Sequence, residues 1–192
     1  LRQCGRWAAS ERPLNVAVNL SARDLMSVEL PQLVYDLLHK FDVPHKLVTL
    51  EITESSVMED PERALSVLQE LHRMGVRLSI DDFGTGFSSL AYLKKLPVDE
   101  IKIDRTFVHR MIDDADDRVI VRSTIELAHS LGLKVVAEGV ESEQCLDVLR
   151  SMGCDIAQGY YFSPGMRRVE LERWLQTSRW GQALKTPQVE TV

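Results

Sequence analysis

Read for hydropathy alone, the chain repeats one rhythm six times. A short apolar, β-branched run ends in a polar residue, and a stretch of helical period follows it. The runs are LNVAVNLS (14–21), KLVTLEITE (46–54), VRLSIDDFG (76–84), DEIKID (99–104), LKVVAEGVE (133–141) and DIAQGYYFS (155–163). Each predicts a strand. Between them, LPQLVYDLLHKF (30–41) sets Leu33, Val34, Leu37, Leu38 and Phe41 on one helical face. DPERALSVLQELHRMG (60–75) opens on Asp60 as a cap, carries Pro61 in its first turn and closes on Gly75. DDRVIVRSTIELAHSLG (116–132) and SEQCLDVLRSMG (142–153) also close on glycine, and FSSLAYLKKL (87–96) predicts a shorter helix. Leu1, Cys4, Trp7 and Ala8 recur at helical spacing, whereas TPQVETV (186–192) has no period and is expected to be disordered.

Strands that alternate with helices predict a parallel sheet covered by helices, with ligands gathered at the carboxyl ends of the strands. The runs read as continuously apolar, which predicts burial on both faces. An open doubly wound sheet and a (β/α) barrel both fit six units. Six units after a helix also fit a barrel whose first two strands lie upstream.

Length and charge narrow the picture. The 192 residues suit one domain or part of a larger one. A net charge of −6 argues against duplex nucleic acid as a partner, but not against a small anion whose charge is offset locally. Cys4, Cys145 and Cys154 form no Cys-x-x-Cys pair and read as reduced thiols of a cytoplasmic protein. No apolar run reaches membrane-spanning length, and no signal peptide is read. Because the chain opens at Leu1 within a helical pattern, it is expected to be a fragment of a longer protein. Any membrane anchor would lie outside these residues.

The strand ends carry the chemistry: Asn19, then Glu51 with Glu54, Asp81 with Asp82, Lys102 with Asp104, Glu138 with Glu141, and Gln158. Asn19, Glu51, Asp81 and Asp82 are hard oxygen donors, which suit Mg²⁺, Mn²⁺ or Ca²⁺. The five histidines fall mainly in helical patterns or turns, which disfavours zinc. Two adjacent aspartates repel, and divalent cations beside them remove the penalty. A carboxylate bridging two metals serves in-line attack of water on phosphorus. Lys102 either neutralises its acidic neighbours or orients the attacking water or a phosphate oxygen. Glu138 is a ligand or a base. The Gly84-Thr85-Gly86 stretch is either a mobile lid or a plain turn, and it lacks the spacing and lysine of a P-loop.

Taken in order and spacing, VNLSA, LEITES, IDDFGTGFSSL, IKIDRTFV, VVAEGVE and AQGYYFS closely resemble the EAL domain family. The resemblance covers residues 1–176, which leaves 177–192 as a tail. It implies a modified (β/α)8 barrel, of which the six strands here are the third to eighth. It implies metal-dependent hydrolysis of cyclic di-GMP to linear pGpG, with Mg²⁺ or Mn²⁺, two ions, as cofactor. By resemblance Asn19, Glu51, Asp81 and Asp82 hold metal. Glu138 holds metal or acts as base, Lys102 stands beside the catalytic water, and Gln158 lies at the last strand. Glu54 holds the loop that runs from Asp82 to Ser89, while Asp104 and Glu141 are acidic positions near the site. The family further implies a homodimer through that loop and the helix after it, and sensor, receiver or GGDEF domains in the parent protein.

Two features depart from the family pattern. The Glu-Ala-Leu signature, whose glutamate is a metal ligand, is not among these residues. The last strand reads FSPGM (162–166) where Phe-Ser-Arg-Pro is common. Two other readings are a cyclic di-GMP receptor without catalysis and a Mg²⁺-dependent barrel lyase or isomerase with Lys102 as base. The isolated fragment, with two barrel strands missing, is expected to be inactive and poorly stable.

Overall fold

The computed structural model describes residues 1–10, 13–85 and 90–183. Six strands form one all-parallel sheet: β1 (Val16–Leu20), β2 (Val48–Thr53), β3 (Arg77–Phe83), β4 (Glu100–Ile103), β5 (Lys134–Ala137) and β6 (Ile156–Ala157). Their spatial order is their sequence order. A doubly wound sheet reverses its order at a switch point. A sheet that steps one strand at a time in one direction is the wall of a barrel, and these six strands form a partial (β/α)8 barrel.

Helices cover the outer wall. They are α1 (Arg2–Ala8), α2 (Ala22–Leu25), α3 (Leu30–Lys40), α4 (Glu54–Glu59), α5 (Pro61–Arg73), α6 (Leu90–Leu93), α7 (Arg105–Arg110), α8 (Ala115–Ser130), α9 (Glu143–Ser151), α10 (Arg168–Thr177) and α11 (Arg179–Ala183). A single 3-10 turn, His45–Leu47, leads into β2. The sequence supplies the starts: Asp60, Asp104, Asp114 and Ser142 each accept an amide of the first turn. The apolar faces meet the sheet. Leu68 and Leu71 of α5, Val121 of α8 and Leu149 of α9 are buried with Leu78, Ile80, Ile101 and Ile103 of the strands. Each such side chain contributes about 1.5–3 kcal/mol of burial. No described helix is long and apolar enough to cross a membrane.

Two expectations change. First, the central strands are buried on both faces, as expected, but β2 to β4 are not continuously apolar. Leu50, Ile52, Leu78, Ile80, Ile101 and Ile103 alternate with Thr49, Glu51, Ser79 and Lys102, so a polar face lines the barrel interior. β1 is an edge with Ala17, Val18 and Asn19 exposed. Second, the run 155–163 stays in the ladder only at Ile156–Ala157. The Tyr161 amide turns instead to the Val140 carbonyl at 2.9 Å. The tail after residue 176 holds a short helix, α11. Trp180 of α11 packs edge-on against Tyr161 and Phe162, with ring centroids 5.8 and 4.9 Å away. The predicted disorder of 186–192 falls outside the described residues, as do Gly86 and 87–89 of the glycine loop.

Candidate active site

The inner face of β2 to β5 converges on Lys102. Its ammonium lies 2.7 Å from Glu138 Oε1, 3.0 Å from Asp81 Oδ1 and 3.1 Å from Glu51 Oε1. Three carboxylates from three strands therefore use its three protons. Lys102 itself is 3% exposed. Burial opposes the ammonium, but the hydrogen bond to Glu138, the charge of Glu51 and the bond to Asp81 outweigh it. The lysine pKa ends above its ordinary value, and the residue stays charged. A buried neutral base, as a lyase or isomerase would need, is a poor match for this environment.

A bulge brings Asp81 and Asp82 together. Ile80 pairs with Ile101 and Phe83 with Ile103, so β3 spends one extra residue between two adjacent registers. In a regular strand neighbours point to opposite faces. Here Asp82 takes the left-handed conformation, φ +55°, which Asp tolerates better than most residues. Its amide donates to Asp81 Oδ1 at 3.0 Å. As a result Asp81, Asp82 and Glu138 each aim a carboxylate oxygen at one point, all within 4.8 Å of one another.

The cluster is short of positive charge. The Asp82 carboxyl is pushed above its ordinary value by burial and by the charges of Asp81, Asp104 and Glu138, with the Asp104 side chain beside it adding to the shift. Burial also works against the Asp104 carboxylate. The Thr106 hydroxyl and amide, the Asp82 side chain and Arg105 outweigh it and pull the Asp104 pKa down. Hard oxygen donors converging on one point fit a divalent metal of the Mg²⁺ type. Asp81, Asp82 and Glu138 are the residues that would hold it.

The remaining candidates divide. Asp104 caps α7 and faces Asp82. Glu54 is 5% exposed. It starts α4 and accepts the Gly84 amide at 3.2 Å, tying the glycine turn to the wall. Thr85 donates its hydroxyl to the Asp82 carbonyl at 2.8 Å, and Gly84, φ +96°, packs against Phe107. Asn19 is the register partner of Glu51, one strand out, and is exposed. Gln158 lies just past β6, its amide donating to the Ala137 carbonyl at 2.8 Å and its carbonyl accepting the Val140 amide at 3.0 Å, with an exposed side chain. Glu141 turns away to His109 at 3.6 Å. Three residues in or around the cluster were not singled out from sequence: Thr106 on Asp104, Phe107 on Gly84, and Ser79, buried in register with Glu51. Only Thr106 left a signal, a hydroxyl two residues after a capping aspartate.

The EAL domain profile matches residues 1–165. The chain belongs to the EAL domain family. Among curated relatives of this EAL chain is the bifunctional diguanylate cyclase/cyclic di-GMP phosphodiesterase MucR of Pseudomonas aeruginosa. The two are 43% identical over 157 residues, 82% of this chain and 23% of the relative. The cyclic di-GMP phosphodiesterase NbdA of the same organism is 41% identical over 175 residues, 91% of this chain and 22% of the relative. The EAL chain thus spans about a quarter of the length of the curated relatives it matches. The MucR phosphodiesterase in complex with c-di-GMP superposes with a TM-score of 0.84 at 42% identity, over 88% of this chain and 69% of that one. The EAL domain of Mycobacterium smegmatis DcpA gives 0.84 at 40% identity, over 91% and 81%.

Proposed function

We propose that the EAL domain to which this chain belongs is a cytoplasmic, metal-dependent phosphodiesterase that opens cyclic di-GMP to pGpG. The observation that carries the reading is the convergence of Asp81, Asp82 and Glu138 beside a buried, charged Lys102. Three carboxylates, Glu51, Asp81 and Glu138, contact the Lys102 ammonium, and with Asp82 and Asp104 beside them the cluster carries a formal excess of four negative charges when all five are ionised. Two divalent cations would cancel it, and the pair is our proposed cofactor, Mg²⁺ or Mn²⁺. Such ions, when bound, lower the pKa of water and stabilise charge on the phosphoryl oxygens.

The chain's own residues then take distinct tasks. Asp81 and Asp82, locked on one face by the bulge, fix the spacing of the donors. Glu138 stands beside Lys102 and accepts a proton from water at the cluster. Lys102, held charged, stands beside that water and faces the phosphoryl charge that grows during attack. Glu54 holds the glycine turn against the site through Gly84. Glu51 and Asn19 extend the donor set toward β1. Gln158 and Glu141, on the rim, are proposed to meet the substrate outside the metal cluster.

The test is cleavage of cyclic di-GMP, followed by chromatography, for the full domain and its Asp81→Asn and Glu138→Gln variants. Both variants are expected to keep the wild-type circular dichroism and lose pGpG formation. Either variant turning over near the wild-type rate would remove these residues from the chemistry. Tight binding of cyclic di-GMP without pGpG from the wild type would identify a receptor instead.

A further inference from the structure

Ser79 is fully buried, and its hydroxyl finds no hydrogen-bond partner among the described residues. It sits on the inner face of β3, two residues before Asp81, with Glu51 as register partner on β2 and Glu100 on β4. Lys102 belongs to β4, yet its ammonium reaches Glu51 on β2 at 3.1 Å. β2 and β4 are separated by β3, so their backbones stand roughly 10 Å apart. Glu51 lies at the level of Ser79, whereas Ile80 pairs with Ile101, which sets Lys102 at the level of Asp81. The lysine must therefore cross β3 on a diagonal, between Asp81 and Ser79.

We propose that Ser79 is a positioning residue for Lys102, and that the property it supplies is small size. A side chain of one heavy atom beyond Cβ leaves open the lane through which the ammonium reaches its third carboxylate. The hydroxyl is not used in any hydrogen bond among the described residues, so the position selects for volume rather than for polarity. A larger residue closes the lane and holds the ammonium back over β4, within reach of Glu138 alone. The placement stands on geometry; its consequence for turnover rests on the phosphodiesterase reading.

Two substitutions separate size from chemistry. Ser79→Ala keeps the size and removes the hydroxyl; Ser79→Thr keeps the hydroxyl and adds a methyl. In metal-free full-length protein labelled with ¹⁵N-lysine, the wild type is expected to show a slowly exchanging ammonium signal that disappears in Lys102→Gln. Ser79→Ala is expected to keep that signal and to turn over cyclic di-GMP within about threefold of wild type. Ser79→Thr is expected to lose the signal and to drop kcat roughly 100-fold with KM little changed, as a misplaced catalytic group does. Should Ser79→Thr fail to fold, Ser79→Cys makes the same steric test with less added volume. Loss of the signal in Ser79→Ala, or its retention in the larger variant, overturns the proposal. If the wild type makes no pGpG, the phosphodiesterase reading fails while the ammonium signals still decide the role of Ser79.

Discussion

Replacing Lys102 with methionine removes a charge and little volume. Three carboxylates then lose their shared partner at 2.7, 3.0 and 3.1 Å. At an effective dielectric of about 20, each contact is worth about 5 kcal/mol of gross attraction. Desolvation of the ammonium returns several kcal/mol of that per ion. The net loss from stranding the buried partners is expected at about 3–5 kcal/mol. Urea unfolding in EDTA measures it. The sign with pH follows from the raised lysine pKa: the contribution is complete below the unfolded value of about 10.4 and is lost only above it. The gap between wild type and Lys102→Met is therefore expected to stay flat from about pH 7 to about pH 10. Added Mn²⁺ is expected to narrow it, because cations at the carboxylates replace the missing charge. A loss below about 1 kcal/mol, the range of exposed ion pairs, would refute the claim that Lys102 holds the site together.

Asp82→Asn is expected to raise the melting temperature of the metal-free protein near neutral pH. The folded pKa of Asp82 is raised, so its carboxylate is a penalty above that value. The gain should vanish as pH falls toward the unfolded value of about 3.9, and an equal or lower melting temperature at neutral pH would contradict the assignment. Gly139→Ala and Gly132→Ala share a positive φ, +72° and +77°, but only at Gly139 would the new Cβ meet Arg105 Cβ, at 2.6 Å. Gly139→Ala should cost about 1–3 kcal/mol more by chemical denaturation, and equal costs would mean that Arg105 yields. Glu54→Ala removes the acceptor of the Gly84 amide, which should then exchange its hydrogen about tenfold faster or more in deuterium. Unchanged exchange at Gly84 would show that the turn holds without Glu54.

Period and residue type carried most of the architecture. All six apolar runs became strands, because β-branched stretches between capped helices have few other folds open to them. Single versus double winding was not legible, since strand order is a property of the sheet and not of any run. The fate of 155–163 also escaped period: DIAQGYYFS reads as strand throughout, yet backbone bonding to Val140 takes the chain out of the ladder after Ala157. In the site, residue type singled out Asp81, Asp82, Lys102 and Glu138, which the fold brings together, and adjacency of Asp81 and Asp82 raised the expectation of a cation. The bulge that puts both on one face was hidden, because it depends on register with β4. Glu54 looked like a strand-end acid. Thr53, whose side chain accepts the Ser56 amide, makes it instead the first residue of α4, from which it reaches Gly84. Ser79 gave no signal, since its role depends on a lysine from the neighbouring strand.

The central claim is that this carboxylate cluster, with divalent metal, hydrolyses a cyclic dinucleotide. The most direct measurement incubates the full domain with cyclic di-GMP after EDTA treatment, with and without added Mn²⁺ or Mg²⁺, and separates the products by chromatography. The account predicts pGpG only when metal is restored, and none from Asp81→Asn. Equal pGpG in EDTA and in metal, or its formation by Asp81→Asn, would contradict it.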